Sequence, residues 1–394
     1  MTDPTTPLLF KPWTVRGVTL KNRIVVSPMG TYSAEHGDLT PFHQAHYQRM
    51  AMSGAGLVIM EQTFVTQSGR VSNGDPGLWA ERQIAPMARL VSEMKRYGVK
   101  TAIQISHGGR KGGQQRAYEG NGPIGPRDLA AGSEQLYPMG ASAVPLSDGW
   151  LVPIEMTEAQ IDGIVDAFIA GTRRAVLVGF DLLELHLAHG YLLQSFLSPI
   201  ANHRTDRWGG SLENRMRLPL RVVRAMREVM PASMPLFARL SVTDWMEGGW
   251  TEDDSVVLAR ALHKAGVDLI DCSSGGNMRT GATNSNLARG PGYQVALSQR
   301  LRDEAGIPTA AVGMIRTASY AESILQEGKA DLICIGRQIL FNPFWPRHAA
   351  WELGVDPTFA DWPEQYGWWL DKWSKALAAN GEDPLGPERF PEVS

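Results

Sequence analysis

The chain has 394 residues, of which 43% are hydrophobic and 20% are charged. This composition is typical of a globular protein with a sizeable core, which excludes a disordered chain and a small disulfide-stapled scaffold. Lysine and arginine number 38 against 41 aspartates and glutamates, so the net charge is −3 and no basic block is available for a nucleic-acid backbone. We therefore expect small-molecule substrates and no nucleic-acid partner.

Cys272 and Cys334 are the two cysteines of the chain. Two thiols are too few for a disulfide framework, an iron–sulfur cluster or a structural zinc site, and they fit a reducing, cytoplasmic setting. The first residues lack the basic start and apolar run of a signal peptide, and no run of about 18 apolar residues occurs. We expect no association with a membrane.

Short runs rich in valine, isoleucine and leucine alternate with amphipathic segments along the chain. The runs predict eight strands buried on both faces, at residues 24–29, 57–61, 100–106, 181–186, 236–241, 267–273, 309–313 and 331–336. Helices are predicted at residues 81–97, 157–178, 212–229, 251–265, 294–304 and 317–327. This order predicts an α/β protein with a (β/α)8 TIM barrel. A doubly wound sheet is the alternative, but no Gly-x-Gly-x-x-Gly follows an early strand.

We expect a single domain, residues 1–394, with the barrel at about 20–345 and a tail at about 346–394. Residues 108–153 are rich in glycine and proline, which predicts a functional loop over the barrel mouth. Six of the 12 tryptophans lie between Trp345 and Trp373. They pack either on the barrel's own helices or across a subunit interface, where tryptophan is enriched.

The C-terminal ends of the strands carry the active site in TIM-barrel enzymes. Strands seven and eight end in Gly313 and Gly336, and Arg337 follows directly. Glycines permit close approach of the backbone and arginine offers a forked cation, so the pair favours a phosphate site. Taken singly, either glycine is explained by an ordinary turn.

His186 and His189 follow strand four, and Tyr191 comes two residues later. With Glu184 as a further ligand, the two histidines are compatible with a metal site, which needs at least three protein ligands. Alternatively, their two N–H groups stabilise negative charge on one substrate oxygen. The spacing leaves both readings open.

Gln104 and Arg239 interrupt otherwise apolar strands. Burial of either group without a partner would cost several kcal/mol. A structural ion pair explains Arg239, whereas a polar heterocycle in the barrel mouth explains both residues at once.

Taken together, the sequence resembles the old yellow enzyme family of flavin-dependent ene-reductases, especially its thermophilic-like branch. The resemblance covers about residues 8–348. Its most specific segments are GFDLLELHLAHGYLLQSFLSP at residues 179–199, NHRTD at 202–206 and WGGSLENR at 208–215. Shorter segments support it, among them SPM at 27–29, LTPFH at 39–43, AVGMI at 311–315 and IGR at 335–337.

The resemblance implies bound FMN, with NADPH or NADH as the electron donor, and reduction of an activated alkene such as an α,β-unsaturated carbonyl or nitro compound. His186 and His189 would bind the substrate oxygen, Tyr32 would help to close the pocket and Tyr191 would donate the proton, on the face opposite to the hydride. The implied FMN-binding residues are Ser27, Pro28, Met29, Gly30, Gln62, Gln104, Arg239, Gly313, Gly336 and Arg337.

The chain departs from the thermophilic-like pattern at two positions. Gly30 stands where that branch usually has a cysteine near the flavin, so we expect a changed flavin potential and a larger pocket. Trp368 stands where relatives place an arginine that reaches into the partner subunit's site, so it would offer an apolar wall. The resemblance implies a homo-oligomer, a dimer or a tetramer.

Three alternatives to the ene-reductase remain at this stage. The first is an FMN-dependent desaturase or oxidase of saturated carbonyl compounds in the same fold, which Gly30 makes worth testing. The second is a metal-dependent barrel lyase or hydrolase that uses His186, His189 and a carboxylate. The third is a flavin-binding barrel without catalysis.

Overall fold

The computed structural model describes residues 6–277 and 289–382. Eight parallel strands close into a barrel in which each strand pairs with the next along the chain and the last pairs with the first. In chain order they are β1 (Ile24–Val26), β2 (Leu57–Phe64), β3 (Lys100–Ser106), β4 (Leu182–Leu187), β5 (Leu236–Ser241), β6 (Leu269–Ser273), β7 (Thr309–Ala311) and β8 (Leu332–Ile335). The predicted (β/α)8 TIM barrel is confirmed.

One helix follows each strand on the outside of the barrel. These are α1 (Pro41–Met52), α2 (Ile84–Lys95), α3 (Glu158–Val178), α4 (Leu212–Val229), α5 (Glu252–Ala265), α6 (Val295–Ala305), α7 (Ala318–Gln326) and α8 (Trp345–Glu352), and α9 (Glu364–Ala379) lies in the tail. Threonine side chains cap several of them; the Thr157 hydroxyl, for example, accepts the N–H of Gln160 at the start of α3. Among the described helices, none is both long and apolar enough to cross a membrane.

Shorter elements lie in the connections. Single helical turns occur at Leu8–Phe10, Glu81–Gln83, Gly109–Lys111 and Ala117–Glu119, and short helices at Pro126–Ala130, Leu192–Leu197 and Arg337–Phe341. The long loop between β3 and α3 contains two very short paired strands, Met139–Gly140 and Ile154–Glu155.

The N-terminal end of the barrel interior is filled by an apolar layer. The layer includes Val25, Leu57, Ile59, Ala102, Leu182, Phe237, Leu269, Ala310, Leu332 and Cys334. An antiparallel hairpin of Trp13–Val15 and Val18–Leu20 packs against it, and the Trp13 ring meets the Phe237 ring edge-on at 6.3 Å. The described residues therefore fill this end of the barrel, and the cavity for a ligand lies at the opposite end.

Strand β2 contains a bulge between Met60 and Gln62. Ile59 points into the barrel and Met60 packs towards the helices, so regular alternation would turn Glu61 inward. The bulge instead turns Glu61 outward, where its carboxylate accepts a hydrogen bond from the Tyr47 hydroxyl of α1 at 3.0 Å. Gln62 consequently faces the barrel interior.

Candidate active site

A cavity of about 700 Å³ opens at the C-terminal ends of the barrel strands. It brings together almost all of the residues that the sequence singled out: Ser27, Pro28, Met29, Gly30, Tyr32, Gln62, Gln104, His186, His189, Tyr191, Arg239, Gly313, Gly336 and Arg337. Trp368 does not line it. That residue lies on α9 with 55% of its surface exposed, against Trp369 and under the Lys372 ammonium.

A polar layer lies directly above the apolar layer of the interior. The Gln104 amide donates to a Glu184 carboxylate oxygen at 2.8 Å, and Arg239 Nε lies 3.4 Å from an Asp271 carboxylate oxygen. Burial raises the pKa of Glu184 to about 8, and the charge of nearby Asp271 adds to the effect. The ion pair considered for Arg239 therefore exists, and the same guanidinium also lines the cavity.

The polar groups at the cavity floor suit a flat heterocycle with both donors and acceptors. Because the Gln104 amide nitrogen is engaged by Glu184, its carbonyl oxygen remains an acceptor for a ligand N–H. The buried Ser27 hydroxyl has no hydrogen-bond partner among the described residues. Arg239 adds donors beside the Pro28 carbonyl, at 3.5 Å. These donors and acceptors fit the isoalloxazine ring of FMN.

The opposite side of the cavity suits the FMN phosphate. Gly313 has φ +130°, a conformation that side-chain-bearing residues rarely adopt. A Cβ atom at Gly336 would meet nothing closer than the Met29 sulfur at 3.7 Å, so its backbone faces open space. Arg337 and Arg316 line this side, and they supply the positive charge that a phosphate requires.

The two histidines lie side by side, with one nitrogen of each ring close to the other. His186 Nδ1 accepts the backbone N–H of Ala188 at 3.1 Å, so a neutral His186 carries its proton on Nε2. That nitrogen lies 3.3 Å from His189 Nδ1, and His189 Nε2 lies 2.8 Å from the Ser273 hydroxyl. Burial, together with the positive charge of Arg239, lowers the pKa of both histidines well below its usual range. Both rings are therefore neutral hydrogen-bonding groups at pH 7.

The turn that carries His189 is held in a strained conformation. His189 has φ +61°, and its N–H donates to the Ser241 hydroxyl at 3.0 Å. Gly276, in the loop after β6, packs so closely that a Cβ atom there would lie 2.2 Å from the His189 Cα. The Ser241 hydroxyl and the loop after β6 therefore hold the backbone of the turn that carries the imidazole.

Tyr191 lies beside the histidines, its ring centroid 4.6 Å from that of His186. Burial raises the pKa of its hydroxyl well above its usual range, so it is protonated at neutral pH. Tyr32 lines the same cavity, and burial followed by the charge of Asp75 raises its pKa to about 12.

Lys111 is a cavity residue that sequence reasoning did not single out. Its ammonium lies 5.7 Å from the centre of the Tyr191 ring, and burial, followed by the charge of Arg110, lowers its pKa to about 7. Ser273, which meets His189, was also missed as a site residue. Both could have been found, since Ser273 is the last residue of a predicted strand and Lys111 lies in the loop that the sequence predicts over the barrel mouth.

The expected enlargement of the pocket at Gly30 is not found. The Gln62 carboxamide occupies the adjacent volume, with Nε2 only 2.5 Å from the place that a Cβ of residue 30 would take. The metal alternative also lacks support, because the described part of the chain contains no group of three or more His, Cys, Asp and Glu residues that could hold a metal ion.

Comparison with known proteins agrees with this geometry. Residues 8–354 match the NADH:flavin oxidoreductase / NADH oxidase family. An NADPH dehydrogenase of Halalkalibacterium halodurans is 43% identical over 360 residues, which cover 91% of this chain and 97% of the relative. An NADPH dehydrogenase of Bacillus subtilis is 40% identical over 364 residues, covering 91% and 99% of the two chains.

Solved structures give the same answer. Morphinone reductase superposes with a TM-score of 0.72 at 26% identity, covering 89% of this chain and 90% of its own. A 2-naphthoyl-CoA reductase superposes with a TM-score of 0.76 at 25% identity, covering 87% of this chain and 52% of its own. The resemblance to the old yellow enzymes is thus confirmed, as are the FMN cofactor and the nicotinamide donor. The chain belongs to the NADH:flavin oxidoreductase / NADH oxidase family and is an FMN-dependent NAD(P)H oxidoreductase.

Proposed function

We propose that this oxidoreductase is an ene-reductase that reduces the C=C bond of α,β-unsaturated carbonyl or nitro compounds. The observation that carries the proposal is the convergence of two neutral histidines and a protonated tyrosine on one side of the cavity. FMN, once reduced by NAD(P)H, supplies the hydride. The side chains described below bind the alkene, stabilise the charge that develops on it and provide the proton.

In this proposal His186 and His189 bind the substrate's carbonyl or nitro oxygen. His186 Nε2–H is available as a donor because its Nδ1 is occupied by the Ala188 N–H. If the Ser273 hydroxyl donates to His189 Nε2, the second imidazole carries its proton on Nδ1, 3.3 Å from His186 Nε2. Both N–H groups then stabilise the negative charge that grows on one oxygen. The lowered pKa values of His186 and His189 favour this role, because both rings stay neutral at pH 7 and bind the oxygen without giving it a proton.

Tyr191 is assigned the proton transfer to the α-carbon. Its raised pKa keeps the hydroxyl protonated until the carbanion character of the substrate makes transfer favourable. Tyr32 is assigned a role in closing the pocket over the substrate. The FMN contacts are assigned to the floor and phosphate-side residues described above, and Lys111 is added as a basic group beside Tyr191, about half protonated at pH 7.

An anaerobic two-stage absorbance experiment tests the proposal. NADPH should bleach the flavin bands of the purified protein, and 2-cyclohexen-1-one should then restore them. Reduction by NADPH without reoxidation by activated alkenes would contradict the ene-reductase assignment. Bleaching by a saturated ketone such as cyclohexanone, without nicotinamide, would instead establish the desaturase alternative.

We also propose that the protein is a homo-oligomer, a dimer or a tetramer, assembled through α9. Tyr366, Trp368, Trp369 and Trp373 are between 43% and 66% exposed on this one helix. Large apolar patches of this kind are uncommon on monomers and mark contact surfaces. A second copy of the chain would cover them, and Trp368 would then approach the neighbouring cavity.

A further inference from the structure

Gly30 and Gln62 compete for one small volume at the edge of the cavity. A Cβ atom at residue 30 would lie 2.5 Å from Gln62 Nε2 and 3.3 Å from both Gln62 Cδ and Tyr32 Cζ. Side-chain carbons essentially never approach other atoms within 3.0 Å. Gly30 does not have a positive φ, so its backbone would accept alanine. A side chain at residue 30 would therefore have to displace the Gln62 carboxamide, the end of a flexible side chain, whereas the backbone conformation would not oppose it.

Gln62 is placed there by the bulge in β2, which turns it from the helix side of the barrel to the interior. The residue is only 6% exposed, and its carboxamide makes no hydrogen bond to the described residues. Its amide atoms open onto the cavity and are not sealed in the interior, where an amide without a partner would be costly. Since Gln62 lines the cavity, its missing partner is expected to be a ligand.

We propose that the Gln62 carboxamide, seated against Gly30, hydrogen-bonds to the FMN ring and raises the reduction potential of the bound flavin. Reduction adds electrons to the ring, so a nearby N–H donor stabilises the reduced form more than the oxidised form. The proposal rests on the assignment of this cavity to FMN. The sequence predicted extra space at Gly30, and the structure places the Gln62 carboxamide in that space.

A double-mutant cycle tests the shared volume, with the FMN dissociation constant as the readout. Gly30→Ala should raise this constant at least tenfold, because the new methyl group pushes the amide towards the cofactor. Gln62→Ala should raise it about fivefold. In the double variant, the added methyl group should cost less than threefold, since the amide that it meets is gone. Fully multiplicative effects would contradict the shared volume.

The midpoint potential of the bound FMN tests the donor role. Gln62→Ala should lower it by about 30 mV, which corresponds to a tenfold change in the relative affinity for reduced and oxidised flavin in a two-electron couple. Gln62→Glu keeps the volume, cannot donate when ionised and should lower the potential at least as far. Gln326→Ala, which removes an exposed amide of α7, is the control and should change neither quantity.

The outcomes separate this inference from the proposed function. A wild-type protein that binds no FMN overturns the assignment of the cavity itself. A wild-type protein that binds FMN, with unchanged potentials in both Gln62 variants, overturns only the role of Gln62. If Gly30→Ala does not fold, the two Gln62 potentials decide the question alone.

Discussion

Replacement of His189 by alanine should weaken the binding of phenol, whose oxygen the histidine pair is proposed to hold. The proposed tautomers give the pair two N–H donors on nitrogens 3.3 Å apart, of which the variant retains one. A hydrogen bond to an uncharged oxygen such as that of phenol contributes about 0.5–1.5 kcal/mol, and every 1.4 kcal/mol is a factor of ten in affinity. We therefore expect the dissociation constant to rise by about 2- to 12-fold.

Absorbance titration of the FMN-loaded enzyme with phenol measures this change, because a ligand stacked on the flavin perturbs its bands. His203→Ala provides a matched control, since His203 is exposed and does not line the cavity. Unchanged affinity in His189→Ala would refute the assignment of the pair. An equal loss in the His203 variant would show that the effect is not specific to the site.

Three further predictions concern other parts of the site. Tyr191→Phe should slow reoxidation by an enone by about 10²- to 10⁴-fold while flavin reduction by NADPH changes little; equal slowing in stopped-flow experiments would contradict a proton-donor role. Because Lys111 has a pKa of about 7 in the folded protein and about 10.4 when unfolded, the unfolded chain binds an extra proton between these values, so stability rises with pH in this window. Lys111→Met should therefore be more stable than wild type at pH 6, by up to about 4 kcal/mol, with a smaller advantage at pH 9; an equal advantage at both pH values in denaturant titrations would argue against a depressed pKa. Trp368→Ala should shift the protein towards smaller species in sedimentation experiments, and a monomeric wild type would refute the proposed interface.

The sequence predicted the positions of strands that are buried on both faces, because such strands require an uninterrupted apolar run. Strands β3 and β5 have the predicted boundaries. Strand β1 ends at Val26 rather than at the predicted residue 29, because the following backbone leaves the sheet to line the cavity. Helix α1 was not predicted, since its buried face includes His43, His46 and Tyr47 in place of an aliphatic stripe.

The side-chain arrangement of the site was less accessible to sequence reasoning. Regular alternation of side chains in β2 would turn Glu61 into the barrel. A bulge turns Gln62 inward instead, and the local sequence contains no signal that predicts this bulge. Gly30 follows β1 and Gln62 lies on the neighbouring strand β2, and the two residues are close to each other because of that bulge. The depressed pKa of Lys111 arises from burial by the whole fold, which no local pattern records.

The closed lower end of the barrel has a kinetic consequence. Because the Trp13–Leu20 hairpin and the apolar layer fill that end among the described residues, substrates reach the cavity from the opposite end of the barrel. We expect electron donor and electron acceptor to compete for this cavity, so that each delays the other while it is bound. We expect high concentrations of either to inhibit turnover, so that the rate passes through a maximum as the ratio of the two is varied.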